Sequence, residues 1–376
     1  MNILFITPDH SNPLSGVTSL TSQLANYLVN KDENLCVYFC SVANQKVETD
    51  EKVKEIVLPP SRAGAFWQWS PGIVKKIESI LLDYHIDIVH IHSIWLAAQW
   101  AGLKAVGGKN IPIVISSHGM LEPWLVYNQG LLQRIKKELY LKLVLKPSIP
   151  TGTTIHAITS LEAKNLKVFF PGYNTVLIPN AIDIAAPIVF SKINDNSKQL
   201  LYLGRLHPKK GIELLLRSLS KLIEDPDWHL NIAGSESIPG YTNSLKDLCA
   251  QLDLEKRVSF VGPIYEKKKW EALNRSWAVI VPSYSEVVGL VNLEAAICKT
   301  PSITTFETGL MDWENGGGLL IHPTIDELTE SLKKVLGWSL DERLDRGERS
   351  FQLVKENYSW DVVAQKWLSF YASILT

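Results

Sequence analysis

The chain of 376 residues lacks any strong bias of charge: 38 Lys and Arg stand against 39 Asp and Glu, a formal net charge of −1. That balance removes the global field expected of a nucleic-acid binder, or of a protein held on anionic membrane by charge alone. Cysteine is scarce, with residues only at 36, 40, 249 and 298. Cys36 and Cys40 have no second close pair at zinc spacing. Buried free thiols in a reducing compartment are therefore expected, rather than a disulfide framework or a zinc module. No apolar run approaches the roughly 20 residues that span a bilayer. The opening segment, Met-Asn-Ile-Leu-Phe-Ile-Thr-Pro, lacks the basic n-region of a signal peptide and reads as a strand. Repeats and low-complexity tracts are also missing. There is no Gly-x-Gly-x-x-Gly, which argues against a dinucleotide-dependent oxidoreductase. These absences lead to the expectation of a cytoplasmic protein, at most peripheral to a membrane.

What is present is apolar content of 46%, ample for two cores in a chain longer than one core usually serves. Short apolar runs alternate with amphipathic stretches throughout. Strands are predicted at 2–7, 35–41, 88–92, 113–117, 155–159 and 176–179, then at 200–203, 230–233, 258–261, 278–281, 302–305 and 319–322. Helical spacing separates them, as at 20–29, 73–84, 131–145, 212–222 and 325–336. Near-continuous apolar strands alternating with helices predict an α/β fold of two doubly wound parallel-sheet domains, covered on both faces. The polar stretch from Asp183 to Lys198 breaks the rhythm. The expected organisation is a first domain at 1–183, a linker at 184–199, a second domain at 200–358 and a terminal helix at 359–376.

Ligands of such sheets bind outside the strands' carboxyl ends, so residues there carry the functional argument. Glu286 ends the loop after strand 278–281, and Glu294 lies about one turn into the next helix. Between them Gly289, Leu290 and Val291 open that helix, whose N–H groups suit a phosphate while the acids suit hydroxyls. A helix-capping acid plus a surface acid is the plainer alternative. Arg205 and Lys210 follow strand 200–203 and precede a helix, where its dipole disfavours cations unless an anion lies between them. The rival there is a solvated basic turn. His118-Gly119 follows strand 113–117, where a histidine can face a cleft or be satisfied by backbone. Gly16, in the loop 8–19, lets backbone approach a phosphate or simply makes a turn. Asn180-Ala-Ile-Asp183 reads as a hinge turn.

Other features read as ordinary structure. Asp225-Pro-Asp227 is expected to be a turn, not a metal motif. His90 and His92 share a strand face without a third ligand, so no metal site is expected. The five tryptophans 67, 69, 95, 100 and 124 default to core packing, with sugar stacking as the other reading. The segment Gln133–Lys146 is a basic amphipathic helix, either solvated or lying on a membrane surface.

These motifs together resemble the retaining glycosyltransferases of family 4, with the GT-B fold of two facing Rossmann-like domains. The similarity rests on Glu286-x7-Glu294 with Ala295-Ala296 and Thr300-Pro301, on Gly204-Arg-Leu-x-x-x-Lys-Gly211, and on Ile178-Pro-Asn-Ala-Ile-Asp183. Asp87-Ile-Val-His-Ile-His-Ser93 and Ser116-Ser-His-Gly119 support it in the first half. It implies that Arg205 and Lys210 bind a donor diphosphate, Glu294 its ribose and Glu286 the transferred sugar. It places His118 in the sugar subsite, brings the Gly16 loop to the diphosphate and acceptor, and returns the last helix to the first domain. The implied enzyme is a hexosyltransferase that needs no cofactor or metal. Its partners would be a nucleotide-sugar donor and a saccharide or lipid-linked saccharide acceptor, as in cell-surface polysaccharide or lipopolysaccharide synthesis. A nucleotide-sugar epimerase of the same fold and a catalytically silent sugar-binding module remain as rivals. One departure is Glu286-Val-Val-Gly289 where the family often has Glu-Gly-Phe-Gly. A valine resists positive φ, so the loop nearest the sugar is expected to differ.

Overall fold

The computed structural model describes residues 1–9, 16–44, 52–62, 67–127, 130–185, 198–224 and 228–375. Most of the expected linker, 186–197, lies outside these residues, as do positions 10–15 of the first loop and the Asp225-Pro-Asp227 turn. The chain divides into two compact units, Met1–Ala181 with Trp360–Thr376, and Ile182–Ser359. The division falls inside the Ile178–Asp183 turn.

In the first unit the elements are β1 (Asn2–Ile6), α1 (Gly16–Lys31), β2 (Cys36–Val42), β3 (Val53–Leu58), α2 (Ile73–Asp83), β4 (Ile88–His92) and α3 (Ala97–Val106). There follow β5 (Ile113–Ser116), α4 (Pro123–Tyr127), α5 (Leu131–Tyr140), β6 (Thr154–Ala157), α6 (Ser160–Phe169) and β7 (Asn174–Leu177). The seven strands form one sheet in the order β3-β2-β1-β4-β5-β6-β7, every pair parallel. The second unit holds β8 (Lys198–Leu203), α7 (Ile212–Ser220), β9 (Trp228–Ala233), α8 (Tyr241–Gln251), β10 (Val258–Gly262), α9 (Glu266–Arg275) and β11 (Ala278–Val281). It continues with α10 (Leu290–Ile297), β12 (Ser302–Thr305), β13 (Leu319–Ile321), α11 (Ile325–Gly337) and α12 (Leu340–Asn357). Its six parallel strands run β10-β9-β8-β11-β12-β13.

The apolar strands are explained by burial on both faces. Leu4 and Ile6 of β1 join one core cluster while Ile3 and Phe5 join another, and Ala278 and Ile280 are separated in the same way from Val279 and Val281. The last helix, α13 (Trp360–Leu375), belongs to the first unit. There Trp360 stacks on Tyr27 at 5.1 Å and donates its indole N–H to Gln23 at 3.0 Å. Trp367 lies against the rings of His90 and His156, at 4.9 and 4.6 Å.

Two elements differ from the sequence reading. β3 was not expected, because Lys54 and Glu55 interrupt its apolar pattern, yet it pairs with β2 along its whole length. The helix expected at 131–145 is α-helical only to Tyr140, then passes through a π-helical turn, Leu141–Leu145.

Each sheet reverses its strand order once, between β1 and β4 and between β8 and β11. Crevices at such reversals are where open α/β sheets take ligands. The second reversal sets the loop after β8, carrying Arg205 and Lys210, beside the loop after β11, carrying Glu286.

Candidate active site

The loop after β8 is held rigidly. Tyr202, buried at the strand's end, donates its hydroxyl to the Arg205 carbonyl at 2.9 Å. Leu206 exchanges backbone bonds with Ser235 and Ser237, at 2.8 and 3.0 Å. The Arg205 side chain is thereby presented to solvent on a fixed backbone, and it makes no hydrogen bond or ion pair with a described residue. His207 accepts the Lys209 N–H through Nδ1 at 3.1 Å and opens a 3-10 turn, Pro208–Lys210. Partial burial lowers the His207 pKa, and Lys209, Arg205 and Lys210 lower it further, which marks the loop as electropositive.

Gly211 closes that turn with φ +69°, and a Cβ there would come within 2.0 Å of the Pro282 carbonyl. Only glycine therefore lets the loop after β8 press against the loop after β11. The Tyr284 N–H donates to the Lys209 carbonyl at 2.8 Å, adding to the join. Across it, Lys210 and Glu286 form an ion pair in which both side chains are mostly buried. The anion expected beside Lys210 is thus supplied, within the protein itself, by Glu286. Ser283 adds a longer hydroxyl bond to Glu286 at 3.4 Å, and the Glu286 N–H donates to the Glu307 carbonyl at 3.3 Å.

α10 begins at Leu290 with Gly289 as its N-cap, and no side chain caps it. Gly289 is required by space rather than by positive φ. Its φ is −74°, but a Cβ would meet the Asn292 amide nitrogen at 2.5 Å. Val287 and Val288 are likewise absent from the residues with positive φ, so valine meets no such backbone strain there. Glu294 is ion-paired with Lys269 of α9 at 2.9 Å. Sequence reasoning missed Lys269. It also missed Asn292, fully buried beneath the helix start, which bonds Thr304 at 2.9 Å and Ser302 at 2.7 Å. Polar residues on the inward face of α10 were the available signal, since a buried amide needs partners.

Gly16 and His118 belong to the first unit. Gly16 opens α1, and apart from its chain neighbours and the backbone of its own helix no described atom lies within 4 Å of where its Cβ would stand. His118 follows β5 with φ +50°, a left-handed backbone uncommon for a non-glycine residue. Its Nε2 is 3.0 Å from His92 Nδ1. Burial, then His156, holds its pKa down to about 3. Near neutral pH His118 is therefore an uncharged ring with one donor and one acceptor, able to hydrogen-bond a polar partner but adding no positive charge.

Behind it runs a buried relay. Tyr371 OH meets His90 Nδ1, His90 Nε2 meets Ser116 Oγ, Ser116 Oγ meets His156 Nδ1, and His156 Nε2 donates to the Ile178 carbonyl, each at 2.7 Å. His90 and His92 are thus hydrogen-bonded within the fold, and no group of three or more metal-ligating side chains occurs among the described residues. Trp67, Trp69, Trp95 and Trp100 are partly buried and pack against the first unit's core, and the side chain of Trp124 lies outside the described residues. The four cysteines are free thiols, with Cys40, Cys249 and Cys298 buried as expected and Cys36 only partly buried.

Two family models match end to end. Residues 14–186 match the model described as Glycosyltransferase Family 4, and residues 186–351 that described as Glycosyl transferases group 1. The chain is 32% identical over 183 residues to an uncharacterized glycosyltransferase of Methanocaldococcus jannaschii, a match covering 48% of this chain and 46% of that relative. It is 26% identical over 413 residues to a D-inositol 3-phosphate glycosyltransferase of Kineococcus radiotolerans, covering 96% and 93%. Among solved structures, sucrose-phosphate synthase of Thermosynechococcus elongatus superposes with a TM-score of 0.78 at 20% identity, covering 99% and 98% of the two chains. Anabaena Alr3699/HepE in complex with UDP and glucose superposes at 0.73 and 18% identity, covering 99% and 100%. At these identities the superpositions establish the fold.

Proposed function

The chain belongs to the family 4-type glycosyltransferases of GT-B fold, and we propose that it is a retaining, metal-independent hexosyltransferase. It moves a hexose from a nucleoside-diphosphate sugar to a hydroxyl of a saccharide or lipid-linked saccharide in cell-surface polysaccharide or lipopolysaccharide synthesis. The observation that carries this reading is Arg205, an exposed guanidinium on a rigid loop at the strand-order reversal, beside the Lys210–Glu286 pair. A cation held without a described anion suits a diphosphate, which guanidinium can bind through two oxygens.

In this reading the bond from the anomeric carbon to the diphosphate breaks as the acceptor oxygen bonds the same carbon on the same face. The acceptor's proton passes to the leaving phosphate oxygen. Arg205, Lys210 and the uncapped start of α10 at Gly289–Val291 stabilise the charge that builds on the diphosphate. Lys210 has three donors, so it can hold Glu286 in orientation while also donating to a phosphate oxygen. Glu286 accepts from hydroxyls of the transferred sugar and Glu294, held by Lys269, from the ribose. On the first unit, His118 is the group offered for hydrogen-bonding a sugar, and the Gly16 turn is the backbone offered to a diphosphate or an acceptor.

A lipid-linked acceptor at the inner face of a membrane is favoured by α5 and the turn after it. Leu131, Leu132, Ile135, Leu139 and Leu143 are 74%, 65%, 43%, 50% and 64% exposed. On a helix they form one continuous outward stripe, with Lys136, Lys142 and Lys146 within or beside it, the pattern of an interfacial helix. No helix among the described residues is long and apolar enough to cross a membrane.

HepE's complex with UDP and glucose makes UDP-glucose the first donor to test, within a thermal-shift screen of UDP-, GDP- and ADP-hexoses. A true donor at about 100 times its Kd stabilises by about 2.7 kcal/mol. Nucleoside diphosphate released with an acceptor, and an NMR assignment of the product's anomeric configuration, complete the test. Absence of both a shift and release across the screen overturns the proposal; an inverted product overturns only the stereochemistry.

A further inference from the structure

We propose that Glu162 is a positioning residue that holds His118 in its working orientation. This rests on the assignment of His118 to the sugar subsite. Glu162 lies in the first turn of α6, buried, and its carboxylate is shared between two strand ends. One oxygen accepts the Ser117 hydroxyl at 2.9 Å and the Gly119 N–H at 2.8 Å. The other accepts the Ile158 N–H at 2.7 Å, at the end of β6. Both chain neighbours of His118 are therefore fastened to the same carboxylate oxygen, and His118 is the residue between them in left-handed backbone. Such a conformation costs on the order of 1–3 kcal/mol and persists only where its surroundings over-determine it. Three charge-assisted bonds to one buried group provide that determination.

Glu162 also serves α6, because its own N–H donates to the Thr159 side chain at 3.1 Å, the N-cap bond of the helix. A purely helix-capping role would make Thr159 and Glu162 equivalent in their consequences. The bonds to Ser117 and Gly119 make them different: only Glu162 reaches the His118 turn. The burial that lowers the His118 pKa is a property of the same turn, so loosening it should let the ring swing toward water.

The test compares Glu162→Gln, Glu162→Ala and the capping control Thr159→Ala in the full chain. The first readout is the titration of the His118 ring by NMR, with its resonance assigned through His118→Ala. In Glu162→Ala the midpoint should rise by about one unit or more, with a smaller rise in Glu162→Gln, which keeps part of the acceptor set; Thr159→Ala should leave it in place. The second readout is turnover of whichever donor the wild-type protein accepts. Glu162→Gln should lower kcat on the order of 10-fold with donor KM within about twofold. In His118→Ala the same change should have almost no further effect, since both act through one ring. An unmoved His118 titration in folded Glu162→Ala or Glu162→Gln overturns the inference. Equal effects of Thr159→Ala and Glu162→Gln on titration and kcat also overturn it, leaving helix capping as the role. Full turnover in His118→Ala overturns the sugar-subsite assignment instead, while a shifted titration would still establish the positioning.

Discussion

Lys210 and Glu286 are ion-paired across 76 positions of sequence, joining the loop after β8 to the loop after β11. A cation and an acid that each look suited to a different part of one ligand are thereby a single unit. Their variants should behave as one. Lys210→Met and Glu286→Gln should each lower kcat/KM on the order of 10–100-fold, and the double variant should fall well short of the product of the two losses. Steady-state kinetics on the four members of the cycle measure this, and strict additivity would mean that the pair does not act together.

Arg205 stands outside that pair and is predicted to be more costly to lose. Arg205→Ala should reduce turnover on the order of 100-fold or more, consistent with about 2.7–4 kcal/mol for one electrostatic donor in a transition state. Thermal stability should barely change, because the side chain is exposed and makes no described hydrogen bond or ion pair. Near-normal release of nucleoside diphosphate would remove Arg205 from the diphosphate site.

His90 and His156 should make the fold sensitive to mild acid. Both are buried; the His90 pKa lies well below its ordinary value and that of His156 is pushed down to about 4, chiefly by burial. Between the unfolded value near 6.5 and these lower values the unfolded chain binds more protons, so stability falls as pH falls. His118 acts in the same direction. Glu162, whose pKa burial raises, opposes part of the effect. Urea unfolding at about pH 5 should give stability lower by about 3 kcal/mol than at about pH 7. A change below about 1 kcal/mol would show that these rings are not held neutral.

Arg343 tests the support behind α10. It is only 1% exposed and has no carboxylate partner among the described bonds. It donates instead to the carbonyls of Trp277, Lys299 and Ser276 and to the Thr300 hydroxyl, at 3.2, 2.9, 2.8 and 3.0 Å. Burial pushes its pKa down to about 10, so it remains a cation at neutral pH. Arg343→Leu strands those acceptors and should cost about 3 kcal/mol or more in chemical denaturation. A loss below about 1 kcal/mol would indicate that water replaces the guanidinium.

The exposed stripe of α5 makes a separate prediction. Flotation with phosphatidylglycerol-containing vesicles should recover the wild-type protein, and Leu132→Glu with Leu139→Glu should reduce recovery about tenfold or more. Turnover on a soluble acceptor should persist in that variant. Failure of the wild-type chain to float would favour a soluble acceptor.

The sequence by itself determined the two parallel-sheet units and the loops that carry Arg205, Lys210, Glu286 and His118. Strands covered on both faces must be apolar throughout, and residues at their carboxyl ends are freed from packing to be polar. β3 escaped because an edge strand with Lys54 and Glu55 does not need that continuous pattern. The return of α13 to the first unit was legible only through resemblance, since its spacing shows a buried face but not what buries it. Tertiary structure alone decided which groups meet. Spacing along a chain says nothing of contacts between loops from different strands, so Lys210 with Glu286, Lys269 with Glu294, and Glu162 with the turn around His118 had no one-dimensional signal. The requirement for Gly289 likewise came from the bulk of Asn292 beside it, a constraint of space that exists only once the chain has folded.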